Sequence, residues 1–341
     1  MRRVILALTR RVVLAFTLLI GCSNHLGLDE HGLCDDPDAG VDAPTIDAPT
    51  IDAPPSTLPP GIVIAGQSNA QGRAVCTAVT VASGACGTCA YSTFFDQVTD
   101  GPIDPFVWQL DRGPVALSPR AGNNFGVEMS LGIALHAGGV DAHFAKAAVG
   151  SSTLAVHWFN RCYTGVSAAP GVGCSPAHYP SNDPSLRDRM FAQVARLEAI
   201  AEVRVIVWIQ GEADGAYALY GAPYTATVTD PATGQTAGVT TTHYEQNLTA
   251  WFLELHTRWP GAAIVFNQLS SSVALNYTAA TRAAQARVAA NFPAAHCAGA
   301  PCVVMISSES LPMTSAHFTA DGLWLLGLRF YDAIAPLLGP V

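Results

Sequence analysis

From residue 61 onward, short apolar runs alternate with amphipathic stretches almost to the end of the chain. Ile62-Val63-Ile64-Ala65 is the first apolar run, and Ala142 to Val149, Val203 to Ile209, Ala262 to Asn267 and Val303 to Ile306 repeat it. Each reads as a buried strand, because the run is short and ends in glycine or polar residues. The intervening segments carry a helical period. A helix beginning near Phe125-Gly126 takes in Leu131 to Ala137, and others cover Leu186 to Ile200, His243 to Trp259, Thr278 to Phe292 and Leu323 to Leu338. In the second of these, Leu186, Met190, Val194 and Leu197 fall on one face. Strand and helix in alternation predict parallel strands joined by right-handed crossovers. The expected architecture is a three-layer α/β/α sandwich with a mainly parallel sheet of about five strands. Segments 73–122 and 160–185 show no period that assigns an element.

The first sixty residues follow different rules. Arginines at 2, 3, 10 and 11 precede the apolar stretch Val12 to Ile20, which is too short to span a bilayer and has the layout of a secretory signal. Leu19-Ile20-Gly21-Cys22 resembles a bacterial lipobox, which implies cleavage before Cys22 and a lipid on its sulfur. Residues 23–60 then read as an Asp/Ala/Pro-rich disordered tether in which Asp-Ala-Pro recurs at 42, 47 and 52. Proline blocks regular structure and the aspartates repel one another, so an extended spacer is expected. The organisation expected is therefore a lipoprotein signal peptide over 1–22, a tether over 23–60 and a folded domain over 61–341, with export and membrane contact through the lipid alone.

Charge narrows the function. The chain carries a formal −9, and eight acidic residues of the tether, with no base beside them, account for much of it. Lys146 is the chain's only lysine. Without a basic stripe, a nucleic-acid partner is excluded, and a polyhydroxyl substrate suits this surface better than a phosphate-rich one. Nine cysteines fit an exported protein. Cys162 with Cys174 and Cys297 with Cys302 are expected as local bridges, and Cys76, Cys86, Cys89 and Cys34 supply the rest. Cys86-Gly87-Thr88-Cys89 lacks the second knuckle a zinc ribbon needs, and His157, His243 and His296 have no partner at ligand spacing, so neither metal nor cofactor is expected.

Gly61 to Gly72, GIVIAGQSNAQG, concentrates the chemistry. It places the Ser68 hydroxyl at the carboxyl end of the first strand, where open α/β sheets bind ligands. A serine there can also simply cap the next helix. Two later segments supply chemical partners: Trp208-Ile209-Gln210-Gly211-Glu212-Ala213-Asp214 and Ser315-Ala316-His317-Phe318. With AGQSNAQG, KAAVGSSTL, WIQGEAD and HFTADGLWLLG in this order, the sequence resembles the SGNH-hydrolase superfamily. Within it, the likeness is to the sialate O-acetylesterase-like carbohydrate esterases, including acetylxylan esterase-like members. The resemblance implies a flavodoxin-like fold and a serine esterase acting on acetylated carbohydrate. It does not match the α/β-hydrolases, whose G-x-S-x-G lies well inside the chain; here Ser68 opens the domain and position 70 is Ala70.

The resemblance carries Ser68 over as nucleophile and His317 as base. Backbone N–H groups of Ser68 and Gly150 and the side-chain amide of Gln210 are the expected oxyanion donors, with Gly126 as second choice. Gln67, Asn69 and Glu212 are expected in support, Glu212 by anchoring the Ser68 loop or Gln210. Trp158 resembles a family tryptophan, and either sugar stacking or core packing would explain it. The pattern departs at one place: the superfamily has an aspartate three residues before its histidine, and here Thr314 stands there. The Ser315 carbonyl, Glu309, Glu212 or Asp214 could orient His317 instead, the carbonyl first because it needs no displaced side chain. Rival readings are an SGNH lipase or thioesterase acting on longer acyl chains, and a glycan-binding lipoprotein with an impaired site.

Overall fold

Alternate residues of the first strand face opposite sides of a sheet that is covered on both. In the computed structural model, β1 (Pro60–Gly66) places Val63 and Ala65 in one apolar layer and Ile62 and Ile64 in the other, as the two-residue period of a strand requires. The structure describes residues 58–72, 74–75, 78–81, 89–96, 115–117, 124–168, 171–172, 186–229, 235–297 and 302–339. The expected signal peptide, Cys22 and nearly all of the expected tether lie outside these residues, as do Cys34, Cys76, Cys86 and Cys174 and the side chains of Cys89 and Cys162. The Cys297–Cys302 bridge is formed.

One compact unit, residues 58–227 and 237–341, holds the sheet. Its further strands are β2 (Cys89–Asp96), β3 (Val115–Leu117), β4 (His143–Ala148), β5 (Glu202–Ile209), β6 (Ala263–Gln268) and β7 (Val303–Ser307). They lie in the order β7-β6-β5-β1-β4-β2-β3. All are parallel except β3, which runs antiparallel to β2 at the edge. The five expected strands are β1, β4, β5, β6 and β7, in parallel array. β2 and β3 extend the sheet from within segment 73–122, where no pattern announced them.

Helices cover both faces. On the Val63 side lie α3 (Leu186–Glu198), α5 (His243–Arg258) and α6 (Thr278–His296), with Met190, Trp251 and Val288 turned inward. On the Ile62 side lie α2 (Val127–Ala137) and α7 (Ala320–Leu338), with Leu131 and Phe330 turned inward. Two short helices, α1 (Ser68–Gln71) and α4 (Glu212–Ala216), open directly from strand ends. The sixth helix runs past Pro293, where the sequence pattern ends it, to His296. Cys297 N–H donates to Pro293 O and closes the last turn. Because β1 lies between β4 and β5, the carboxyl ends of all three border the topological switch point, the crevice where doubly wound sheets bind ligands.

Candidate active site

The turn after β1 depends on Gly66. Its φ is 140°, and a Cβ there would lie 2.0 Å from the carbonyl oxygen of Ile209 on β5. Only glycine lets the chain pass so close to the neighbouring strand. Gln67 N–H then donates to Ile209 O at 3.0 Å, and α1 begins at Ser68. The serine is buried, with 7% of its surface exposed. First-turn N–H groups have no acceptor inside their own helix, and that of Ser68 takes no partner among the described residues.

The base arrives from the far edge of the sheet. After β7 the chain returns across β6 and β5 and forms a small hairpin in which Thr314 pairs with His317 and Met313 with Phe318. The turn between them places Ser315 at φ 58°. Ser68 Oγ and His317 Nε2 lie 2.9 Å apart, within the reach a nucleophile and its general base require. The structure thus brings together two residues separated by 249 positions.

Residues flanking Ser68 tie three loops together. Asn69 Nδ2 donates to Ala316 O at 3.0 Å, and Asn69 Oδ1 accepts from Phe318 N–H at 3.2 Å. The same Nδ2 donates to Glu212 Oε1 at 2.5 Å, while Gln67 Nε2 donates to Glu212 Oε2 at 2.6 Å. Gln67 Oε1 accepts from Ala213 N–H at 3.1 Å. Of the two anchoring roles considered for Glu212, the structure shows contact with the Ser68 loop. Nothing in the sequence pattern announces that Asn69 grips the histidine hairpin.

The expected oxyanion donors are placed less simply. Gly150, just beyond β4, donates its N–H to Gln71 Oε1 at 3.1 Å. Gln71 was not singled out by sequence; the available signal was a polar side chain one turn after Ser68 in a buried helix. Gln210 directs its NH₂ to Asp214 Oδ2 and to Ser152 O at 3.2 Å, with Gln67 Oε1 at 3.5 Å. A buried carboxylate is the strongest acceptor within its reach, so the amide is oriented towards Asp214. Gly126 N–H donates to Glu128 Oε1 at 3.0 Å, and Glu128 Oε2 is held by Lys146 Nζ at 2.7 Å. Of these groups, Ser68 N–H alone has no competing acceptor among the described residues.

The three carboxylates considered as partners for His317 are engaged elsewhere. Glu309 accepts from Ser271 N–H at 2.9 Å and pairs with Arg282 at 2.5 Å. Glu212 holds Gln67 and Asn69. Asp214 holds Gln210 and accepts from Leu154 N–H at 3.0 Å. Burial pushes Glu212 up to about 7, with nearby Asp214 adding to the rise and the Asn69 hydrogen bond opposing it. Asp214 is likewise pushed up to about 7 by burial.

Trp158 belongs to the core. It is 2% exposed, with its ring 4.9 Å from that of Trp208 and 5.4 Å from that of Trp251, so it presents no face for a sugar. It ends a π-helical turn, Leu154–Trp158, which follows the Gly150 loop and which the sequence did not signal. In that turn His157 Nδ1 accepts from Thr153 N–H at 3.0 Å, and burial holds the imidazole down to about 4. His243 stacks on Tyr163 with ring centroids 3.6 Å apart.

No family model matches this chain, and no curated protein matches it. Solved structures do. A novel carbohydrate acetylesterase from Xanthomonas citri aligns with a TM-score of 0.50 at 14% identity, over 82% of this chain and 56% of that one. NanS aligns with a TM-score of 0.50 at 13% identity, over 81% of this chain and 96% of NanS. A lipase/acylhydrolase from Enterococcus faecalis aligns at 0.41, with 12% identity over 83% of this chain and 99% of that one. The first two likenesses are likenesses of fold alone: an α/β fold with a mainly parallel sheet between helical layers.

Proposed function

We propose that this protein is a serine esterase that hydrolyses O-acetyl esters on carbohydrates through an acyl-Ser68 intermediate. The observation that carries the reading is the 2.9 Å approach of Ser68 Oγ to His317 Nε2 at the carboxyl edge of the sheet. In the proposed reaction Ser68 Oγ attacks the ester carbonyl carbon as His317 takes its proton. The carbonyl oxygen becomes an oxyanion, held first by the Ser68 N–H. Collapse of the tetrahedral intermediate breaks the bond to the sugar oxygen, which receives the proton from His317 and leaves as a hydroxyl. Water, deprotonated by His317, then attacks the acetyl-serine and releases acetate, returning the proton to Ser68.

Carbohydrate enters through the motifs quoted above, which resemble the carbohydrate esterases, and through a surface without a basic stripe. Export on a signal peptide and anchoring by a lipid on Cys22 belong to the same proposal and rest on residues 1–22 alone. Ser68→Ala tests the chemistry. The variant should fold and lose hydrolysis of an aryl acetate, and a fluorophosphonate should label the wild type stoichiometrically at Ser68. Full residual turnover by the variant would exclude the mechanism. Acetate release from a panel of acetylated glycans, set against aryl octanoate hydrolysis, tests the substrate class.

A further inference from the structure

We propose that Asn69 positions His317 by holding the backbone of its hairpin. The proposal rests on the esterase reading above and concerns how the hairpin that carries the base is held against the turn that carries the nucleophile. Asn69 follows the nucleophile directly and is 3% exposed. One side-chain amide grips both sides of the histidine: Nδ2 donates to the carbonyl of Ala316, and Oδ1 accepts from the N–H of Phe318. The orientation of that amide is chemically determined. Its NH₂ faces two acceptors, Ala316 O and Glu212 Oε1, and its oxygen faces a donor. The flipped amide would oppose donor to donor and oxygen to oxygen.

The hairpin needs such a hold. It consists of two residue pairs, with Thr314, Ser315 and His317 all exposed, and an isolated two-stranded ribbon is at best marginally stable in water. Ser315 is also in the left-handed region at φ 58°, which persists in a non-glycine residue only where the surroundings enforce it. Asn69 therefore ties the base to the turn that carries the nucleophile, and Glu212 ties Asn69 to the end of β5. Ser68 and His317 are held in register as one unit.

A double-mutant cycle separates this role from general anchoring. Asn69→Ala in the wild-type background should lower kcat for an aryl acetate about a hundredfold, with KM within about threefold, the cost of a base misplaced by roughly an ångström. In a His317→Ala background the same substitution should cost less than about threefold, because it removes the position of a group no longer present. A full further hundredfold loss in that background overturns the proposal, and so does a wild-type-background loss below about threefold. Near-UV circular dichroism checks folding. If Asn69→Ala does not fold, Asn69→Ser, which also loses the hairpin bonds but leaves a smaller void, goes through the same cycle. Unchanged turnover by Ser68→Ala or His317→Ala overturns the esterase reading and this proposal with it, whereas multiplicative costs in the cycle overturn this proposal alone.

Discussion

Gly150 donates its N–H to the side-chain oxygen of Gln71 at 3.1 Å, so an amide oxygen occupies the acceptor position in front of the donor expected to receive an oxyanion. An ester carbonyl using Gly150 must displace that oxygen and forfeit one hydrogen bond, worth about 1 kcal/mol. Gln71→Ala removes the competitor. We expect kcat/KM for a small aryl acetate to rise by up to about fivefold, the same energy expressed as a rate, together with tighter binding of a boronic acid that mimics the tetrahedral adduct. A tenfold loss on both readouts would show that Gln71 supports Gly150 rather than competing with substrate.

Glu212 and Asp214 make stability depend on pH in a direction opposite to ordinary carboxylates. Both are pushed up to about 7 by burial, whereas an unfolded carboxylate titrates near about 4. Between those values the native state binds more protons than the unfolded one. Their contribution is therefore complete below about 4 and is lost as pH rises through about 7. His157, held down to about 4, acts with the reverse sign, and its contribution is lost as pH falls from about 6.5 towards 4. Comparing variants removes the histidine from the measurement. Relative to wild type, Glu212→Gln should gain on the order of 2 kcal/mol between pH 5 and pH 8 in urea unfolding. A difference that does not change with pH would refute the assignment.

Lys146 and Glu128 form a buried ion pair at 2.7 Å, with side chains 0% and 3% exposed. Lys146→Met alone leaves the Glu128 carboxylate buried without its cation and should destabilise the fold by about 3–5 kcal/mol. Adding Glu128→Leu should restore a large part of that loss, since two apolar side chains need no counter-ion. Urea midpoints of the wild type and the two variants check this; equal midpoints for the two variants would mean that a Glu128 carboxylate buried without its cation carries no such cost.

Gly66→Ala places a methyl group 2.0 Å from Ile209 O on a backbone at φ 140°. Neither the strand end nor the turn can absorb this, so the chain must shift at the residue that leads into Ser68. Loss of aryl acetate hydrolysis beyond about a hundredfold, and a fall in Tm, are the expected outcomes. A fully active variant would show that the turn is not required in this form.

Much of the sheet was legible because each core strand is a short apolar run followed by helical sequence. Ile62 to Ala65 and Val203 to Ile209 are examples, and both lie within parallel neighbours β1 and β5. Cys89–Asp96 and Val115–Leu117 were not legible, since they join an edge and carry no distinguishing period. Trp158 shows the same boundary: an apolar aromatic beside a motif reads equally as sugar platform or core, and the Trp208 and Trp251 rings decide for core. Gln210 was expected as a donor to substrate from its place after a strand. Its orientation depends on Asp214, four residues on, whose side-chain direction no spacing rule predicts.

Residue types along the chain determined where strands end and which ends carry a hydroxyl, an imidazole, an amide or a carboxylate, because period, glycine and polarity are local properties. Tertiary structure decided how closely those groups meet and which further contacts hold them. Ser68 finds His317 across 249 positions, and Asn69 finds the hairpin on either side of it. Those contacts follow from strand order and from two loops returning to one crevice, which is a property of the whole packed sheet and of no single segment.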